Sequence, residues 1–228
     1  MGLRIRWARI CQTGGVTSTT SRPYNGLPAA ERVAQRRQHL LQVGLNILGV
    51  HDSPGELTLR NVCQQAGLTQ RYFYESFTDR DEFAAEIYDW AVRELAASAQ
   101  LAAANAPVEE KLRAGIGEIV RAIEADSRVG RLLFSANQFN PVLLHKRYES
   151  TQLFVDLMDA QLREATPTDQ HGSVPFVAQL MVGGVGQILA SWINGSTTSE
   201  ADALIENLVQ FLTVYWRCLA HLHDRPAV

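Results

Sequence analysis

The chain has 228 residues, of which 46% are hydrophobic and 20% are charged. This balance is typical of a folded globular protein with one full core and a small accessory domain, and it argues against disorder along the whole chain. The net charge of −3 favours neither nucleic acids nor acidic substrates as partners of the molecule as a whole.

The cysteines and histidines indicate neither a disulfide framework nor a metal site. Cys11, Cys63 and Cys218 are odd in number and far apart, and the six histidines contain no His-x-x-x-His pair. The sequence also lacks a P-loop, a complete dinucleotide fingerprint and a Gly-x-Ser-x-Gly motif. We therefore expect no metal, no cofactor and no catalytic residues. The N-terminus has no continuous apolar run, so a reducing cytoplasm is the expected location.

A flexible basic arm is predicted over residues 1–28. Residues 11–28 are rich in Ser, Thr, Gly and Pro and show no periodicity. Seven arginines lie within residues 1–38, against the single acid Glu31.

The first predicted helix covers residues 29–50, and Pro54 and Gly55 prevent it from continuing. Its apolar positions, at helical spacing, are Val33, Leu40, Leu41, Gly44, Ile47 and Leu48. Thr58 can cap a short second helix that Gly67 ends. Thr69 then stands where an N-cap belongs, before a third helix of about two turns over residues 70–76.

A fourth helix is predicted from Asp79, with Glu82 completing a capping box, to about Pro107. Five more helices follow over residues 108–125, 128–138, 141–165, 174–194 and 200–222. We find no strand pattern and no internal repeat. The expected fold is all-α with about nine helices: a three-helix unit over residues 29–78 and a larger helical domain over residues 79–228.

The stretch AGLTQRYFYESF, residues 66–77, concentrates four aromatic residues in six positions. Phe73 and Phe77 lie four residues apart, so both can fill the small core against the first two helices. Tyr72 and Tyr74 lie about 100° to either side of that face, too far round to be central in a core. We expect these two tyrosines to flank an exposed face.

A glycine turn between two short helices, the second beginning with polar residues, is the layout of a helix-turn-helix. In that arrangement Gln70, Arg71 and Tyr72 would face base edges in a DNA major groove. Glutamine can pair with adenine and arginine with guanine, whereas tyrosine can pack on a thymine methyl group. The hydroxyls of Tyr74 and Ser76 are of the kind that hold phosphates.

Residues 58–83, TLRNVCQQAGLTQRYFYESFTDRDEF, resemble the DNA-binding signature of TetR-family transcriptional regulators. The shared features are a Thr-led second helix, Ala-Gly-aliphatic-Ser/Thr, an aromatic-Tyr-x-x-Phe third helix and a short polar link. The resemblance covers about residues 30–88 and implies a homodimer that binds a palindromic operator, usually as a repressor, and releases it when a small molecule enters the C-terminal domain. The residues that by motif position resemble the family's base-facing set are Arg60, Gln70, Arg71 and Tyr72. Those that resemble its phosphate-facing set are Thr58, Tyr74, Ser76 and Arg80.

The sequence departs from the TetR pattern at three places. Arg80 stands where the family most often has lysine, Tyr72 is bulkier than the common threonine, and Glu75 would repel phosphate unless it faces solvent or Arg71. Residues 29–85 also hold six arginines against seven acids, so local placement must create any attraction to DNA. The basic arm either reaches a minor groove or is a disordered segment or misassigned start.

The last two predicted helices carry more apolar residues than one helix face needs, which favours a homodimer interface through residues 174–194 and 200–222. The most apolar stretch, residues 176–193, is interpreted as a buried helix rather than a membrane span.

The expected pocket for a mainly apolar effector is lined by Phe134, Asn137, Phe139, Tyr148, Phe154, Met158, Phe176 and Trp192. The alternative function is an all-helical small-molecule-binding protein or enzyme whose head mediates protein contacts.

Overall fold

The computed structural model describes residues 29–50, 57–134, 140–165 and 174–222, and the described residues form helices and turns without a strand. The helices are α1 (Ala29–Leu48), α2 (Leu59–Ala66), α3 (Gln70–Tyr74), α4 (Arg80–Ala104), α5 (Lys111–Ala125), α6 (Ser127–Phe134), α7 (Pro141–Ala165), α8 (Val174–Ile193) and α9 (Ala201–Leu222), with a 3₁₀ turn at Val108–Glu110. The predicted all-α fold is therefore confirmed. The predicted arm over residues 1–28 lies outside the described residues.

Side-chain caps fix the beginnings of α2 and α4 as predicted. The Asn61 amide donates to the Thr58 hydroxyl at 3.2 Å, and the Glu82 amide donates to the Asp79 carboxylate at 2.8 Å. Thr69 is the N-cap residue of α3, as predicted, and has the extended backbone of that position, but its side chain makes no capping hydrogen bond. α3 is thus held by its packing rather than by a cap.

α3 is also shorter than predicted, ending at Tyr74. The Glu75 amide still donates to the Arg71 carbonyl at 3.0 Å, but the Ser76 amide donates to the Phe73 carbonyl three residues back, at 2.9 Å. The chain therefore tightens into a turn after little more than one helical turn, and this turn places Phe77 beneath the helix.

The described residues pack into two hydrophobic cores. Helices α1, α2 and α3 form the head of the molecule. The first core joins them to α4, α6 and the beginning of α7, so the head shares one core with the long helix that follows it. The second lies between α5, α7, α8 and α9. Phe134, at the end of α6, packs against both cores.

Polar links tie α6 to the end of α1. The Arg131 guanidinium donates to the Gly49 carbonyl at 2.5 Å, and the Arg128 guanidinium donates to the Asn46 side chain. Arg128 also pairs with Asp126 at 2.5 Å, where the carboxylate is buried. These bonds connect α6 directly to the last turn of α1.

α8 is, among the described residues, the one helix that is long and apolar enough to cross a membrane, with 22% of its most apolar window buried in the chain. Its prediction as a buried helix holds for one face only. Val177, Ala178, Met181 and Leu189 are buried, whereas Phe176, Leu180 and Ile188 are exposed by 67%, 47% and 38%. Two apolar faces on one helix require a second covering surface.

Candidate nucleic-acid interface

A left-handed residue makes the turn between α2 and α3. Gly67 has φ +62° and ψ 27°, a conformation that costs an L side chain energy but that glycine adopts freely. Its amide donates to the Gln64 carbonyl at 3.3 Å, and the Leu68 amide donates to the Cys63 carbonyl at 3.1 Å. These bonds close the end of α2 and fix the direction in which α3 leaves.

Three aromatic rings seat α3 on the head. Phe73 and Phe77 are each 2% exposed, and their centroids lie 5.2 Å and 4.8 Å from that of Phe83 on α4. Tyr72 and Tyr74 lie at the surface, 36% and 57% exposed. The sequence-based assignment of core and exposed aromatics is confirmed at all four positions.

The predicted base-facing residues lie on α2 and on the first turn of α3. Arg60, Gln70 and Arg71 are exposed, and Arg71 has 85% of its side chain accessible. Tyr72 follows on the same turn of α3. This short surface therefore presents two guanidiniums, an amide and a phenol to the outside.

The predicted phosphate-facing residues lie at the N-cap of α2, at the end of α3 and just after it, and at the start of α4. Tyr74 and Arg80 are exposed, whereas Thr58 and Ser76 are half-buried. The Thr58 hydroxyl accepts the capping hydrogen bond with its oxygen, so its hydrogen can still be donated outward. The guanidinium of Arg80 lies 3.8 Å from the Asp81 carboxylate, a contact too long to be a hydrogen bond.

The acids beside this surface are occupied by partners within the protein. Hydrogen bonds from the Thr78 hydroxyl and amide lower the pKa of Glu82, so this carboxylate stays ionised while it accepts them. Glu75 pairs with Arg36 at 3.0 Å and lies 3.4 Å from Arg71. The acid expected to repel phosphate is therefore offset by two guanidiniums.

Arg36 belongs to this surface although no sequence pattern indicates it. This residue comes from α1 and lies with its guanidinium carbon 4.5 Å from the centroid of the Tyr72 ring, while it also pairs with Glu75. Its position among the arginines and glutamines of α1 gave no sign of a specific partner. Only the packing of α1 against α3 brings it to the surface that holds Tyr72.

The residues predicted to line an effector pocket are not all brought together. Tyr148 and Phe176 are both 67% exposed and so do not line an interior cavity of the single chain, and Asn137 and Phe139 lie outside the described residues. Phe134, Phe154 and Met158 are partly buried at the two cores. Trp192 is partly buried and donates its indole hydrogen to the Ser199 carbonyl at 2.8 Å.

A helix-turn-helix head on an all-helical body is the fold of TetR-type transcriptional regulators, and solved structures of such regulators superpose on most of this chain. A TetR-like regulator from a Rhodococcus species is 18% identical, with a TM-score of 0.61, over 85% of this chain and 98% of its own. A TetR-family regulator from Syntrophomonas wolfei is 10% identical, with a TM-score of 0.68, over 80% of this chain and 95% of its own.

The FadR regulator from Bacillus subtilis, solved in complex with stearoyl-CoA, is similar as well. It is 15% identical, with a TM-score of 0.62, and the likeness covers 77% of this chain and 96% of that one. No protein-family model matches the sequence, and no curated protein matches it either. At these identities the likeness establishes the shared fold, and the predicted family resemblance is confirmed at that level.

Proposed function

We propose that the chain is a ligand-responsive, sequence-specific DNA-binding regulator of the TetR type, which acts as a homodimer and represses transcription from a palindromic operator. The observation that carries this proposal is the surface of α3. Gln70, Arg71 and Tyr72 are exposed on its first turn, while the opposite side is anchored by Phe73 and Phe77. A helix seated in this way can enter a major groove by its N-terminal end.

The division of roles follows from side-chain chemistry. Arg71 can donate two hydrogen bonds to a guanine edge, Gln70 can pair with adenine, and Arg60 extends the reading surface from α2. Thr58, Tyr74, Ser76 and Arg80 carry the hydroxyls and the charge that phosphates accept. Phosphate contacts set the orientation of the head, and base contacts set its selectivity.

The exposed face of α8 supports a homodimer. Phe176 and Leu180 lie four residues apart on one side of the helix, and a Cβ built at Gly183 or Gly184 meets no described atom within 4 Å. On α9, Phe211 and Val214 are also exposed, by 57% and 52%. A two-fold copy packed on these two helices would cover both faces and form a four-helix interface.

A mainly apolar effector fits the junction between the two cores. Phe134 packs against both cores, Phe154 against the first and Met158 against the second, so a molecule wedged beside them would displace α6 and α7. The complex of the similar Bacillus subtilis FadR with stearoyl-CoA supports a ligand with a long apolar portion. Release follows if the ligand binds more tightly to a state in which the two heads leave the spacing of one DNA turn, about 34–36 Å.

Fluorescence anisotropy tests this function directly. The purified chain is titrated onto a labelled duplex carrying the intergenic DNA upstream of its own gene, with scrambled competitor at two salt concentrations. We expect binding that survives the competitor and weakens as salt rises. Stearoyl-CoA is then added as a probe of effector class, with release of the duplex as the expected result.

A matched variant distinguishes the loss of a DNA contact made by Arg80 from the general effect of removing one positive charge. Arg121 on α5 resembles Arg80, since its side chain is 57% exposed and its guanidinium lies 3.8 Å from Asp202. Arg121→Ala should leave DNA affinity unchanged, whereas Arg80→Ala should lower it. Equal affinity of the wild-type chain for upstream and scrambled DNA, together with no selected site from a random duplex library, would contradict the proposed function.

A further inference from the structure

The surface that carries the predicted base-facing residues Arg60, Gln70, Arg71 and Tyr72 is called the reading surface below. Beside it, one carboxylate is shared by two arginines from different helices. Glu75, just after α3, lies 3.0 Å from the Arg36 guanidinium and 3.4 Å from that of Arg71. The Arg36 and Glu75 side chains are only 26% and 32% exposed, whereas that of Arg71 is 85% exposed. The carboxylate therefore joins a half-buried arginine of α1 to an exposed arginine of the predicted base-facing surface.

Arg36 also supports the next residue of that surface. Its guanidinium carbon lies 4.5 Å from the centroid of the Tyr72 ring, within the range of a cation–π contact. A planar guanidinium can stack on a ring and donate hydrogen bonds to a carboxylate at the same time. The contacts of Arg36 thus fix the ring of Tyr72 relative to α1.

We propose that Arg36 and Glu75 are positioning residues that set the base selectivity of the DNA-binding surface. Arg36 holds the Tyr72 ring in one orientation, and Glu75 holds both Arg36 and Arg71. α3 has only five residues and no side-chain cap, so contacts with α1 and with Glu75 add to the restraint on its base-facing side chains. The inference rests on the proposed function and adds to it residues that need not touch a base.

Glu75 also affects non-specific binding to DNA. Its negative charge offsets two guanidiniums that would otherwise attract phosphates anywhere on DNA. A head with this acid therefore binds random DNA less tightly than a head without it. The acid favours discrimination over affinity, which is how a repulsive element increases specificity.

The molecule contains a second cluster of the same composition that provides a control. Arg37, the next residue of α1, pairs with Glu86 of α4 at 2.9 Å and lies 4.9 Å from the Phe77 centroid, and Glu86 also lies 3.6 Å from Arg93. Its side-chain exposures of 34% and 30% match those of the first pair. The ring beneath Arg37 is buried, however, so this cluster supports no reading side chain.

The test compares Glu75→Gln with Glu86→Gln, and Arg36→Lys with Arg37→Lys, in the full-length chain. A random duplex library is selected with each protein, and affinities for the wild-type-selected site and for a scrambled duplex are measured across a salt series. Thermal unfolding of each variant shows that it is folded. The two variants of each matched pair change the net charge of the protein by the same amount.

For Glu75→Gln we expect tighter binding to scrambled DNA and a plot of log affinity against log salt concentration that is steeper by about one. The ratio of the affinities for the selected site and the scrambled duplex should fall by roughly tenfold. The selected sequences should lose preference mainly at the positions that Arg71 and Tyr72 read. Arg36→Lys keeps its charge, so it should lower discrimination with little change in salt dependence. Glu86→Gln and Arg37→Lys should keep the wild-type selection.

The outcomes separate the inference from the function beneath it. A selective wild-type chain whose Glu75→Gln and Glu86→Gln variants select the same sites would overturn the inference alone. So would an equal loss of affinity for all duplexes together with a lower unfolding temperature, since that pattern belongs to a purely structural contact. A wild-type chain that selects no site would overturn both.

Discussion

At the scale of single residues, the reading surface is built from neighbours with opposite environments. Phe73 is 2% exposed, while Tyr72 and Tyr74 on either side of it are exposed. The alternation arises because consecutive residues of a helix point about 100° apart. Adjacent positions therefore serve different purposes, and substitutions there should have separable effects.

Arg71→Ala and Arg80→Ala should weaken DNA binding in different ways. Arg71 stands on the base-facing turn, so its loss should cost roughly 1 to 3 kcal/mol on the preferred site and blur one base preference. Arg80 is placed to contact a phosphate, so its loss should weaken all sequences alike and lower the salt dependence by about one. Anisotropy on the selected site and on single-base variants measures both effects. Identical, sequence-blind losses for the two variants would contradict this assignment of roles.

Gly67 offers a test of the turn. At φ +62° an alanine is strained although no described atom lies within 4 Å of a Cβ at that position, so Gly67→Ala should lower stability by about 1 kcal/mol through the backbone alone. Gly67→Asn should be milder, because asparagine tolerates the left-handed region. Chemical denaturation of the three proteins gives the ranking. Equal stability of the alanine and asparagine variants would show that the backbone conformation is not the cause.

At the scale of elements, the sequence predicts most helices because their ends carry local signals. Thr58, Gly67 and Asp79 mark helix ends through caps and a left-handed turn, and the structure has all three. The length of α3 was overestimated, because the tight turn after Tyr74 depends on the packing of Phe77 beneath it. Arg36 was missed for the same reason: its partners, Tyr72 of α3 and Glu75 just after α3, lie 36 and 39 positions further along the chain. Local patterns predict elements, and contacts between elements complete the site.

The link between α6 and α1 predicts a second element-scale result. Arg131→Met keeps the aliphatic stem but removes the hydrogen bond to the Gly49 carbonyl, so the last turn of α1 should open more readily. We expect a loss of stability of about 1.5 to 3 kcal/mol, the usual range for a hydrogen bond to a charged group. Hydrogen exchange should accelerate at the end of α1 and remain unchanged in α9. The matched control is Arg121→Met on α5, which should leave exchange in α1 unaltered.

At the scale of the whole molecule, two cores and one uncovered helix face define the arrangement. The first core links the head to α4 and α6, so the head and part of the body share one buried core. The second core covers only one face of α8. The excess of apolar residues that the sequence shows in α8 and α9 is therefore real, but sequence alone did not indicate which of them face the interior.

The uncovered face of α8 gives the last prediction. Leu180→Glu places a charge in the middle of that face, where a two-fold copy would bring the two carboxylates together in an apolar contact. We expect the variant to be a folded monomer by analytical ultracentrifugation and to lose most of its affinity for the selected operator, since a single head contacts only one half-site. Leu101→Glu on α4 is the matched control, because Leu101 is 51% exposed against 47% for Leu180. The control should remain dimeric. A Leu180→Glu variant that remains dimeric and binds the operator as the wild type does would exclude the centre of α8 from the dimer interface. The exposed apolar face of α8 would then have to be covered by a different partner.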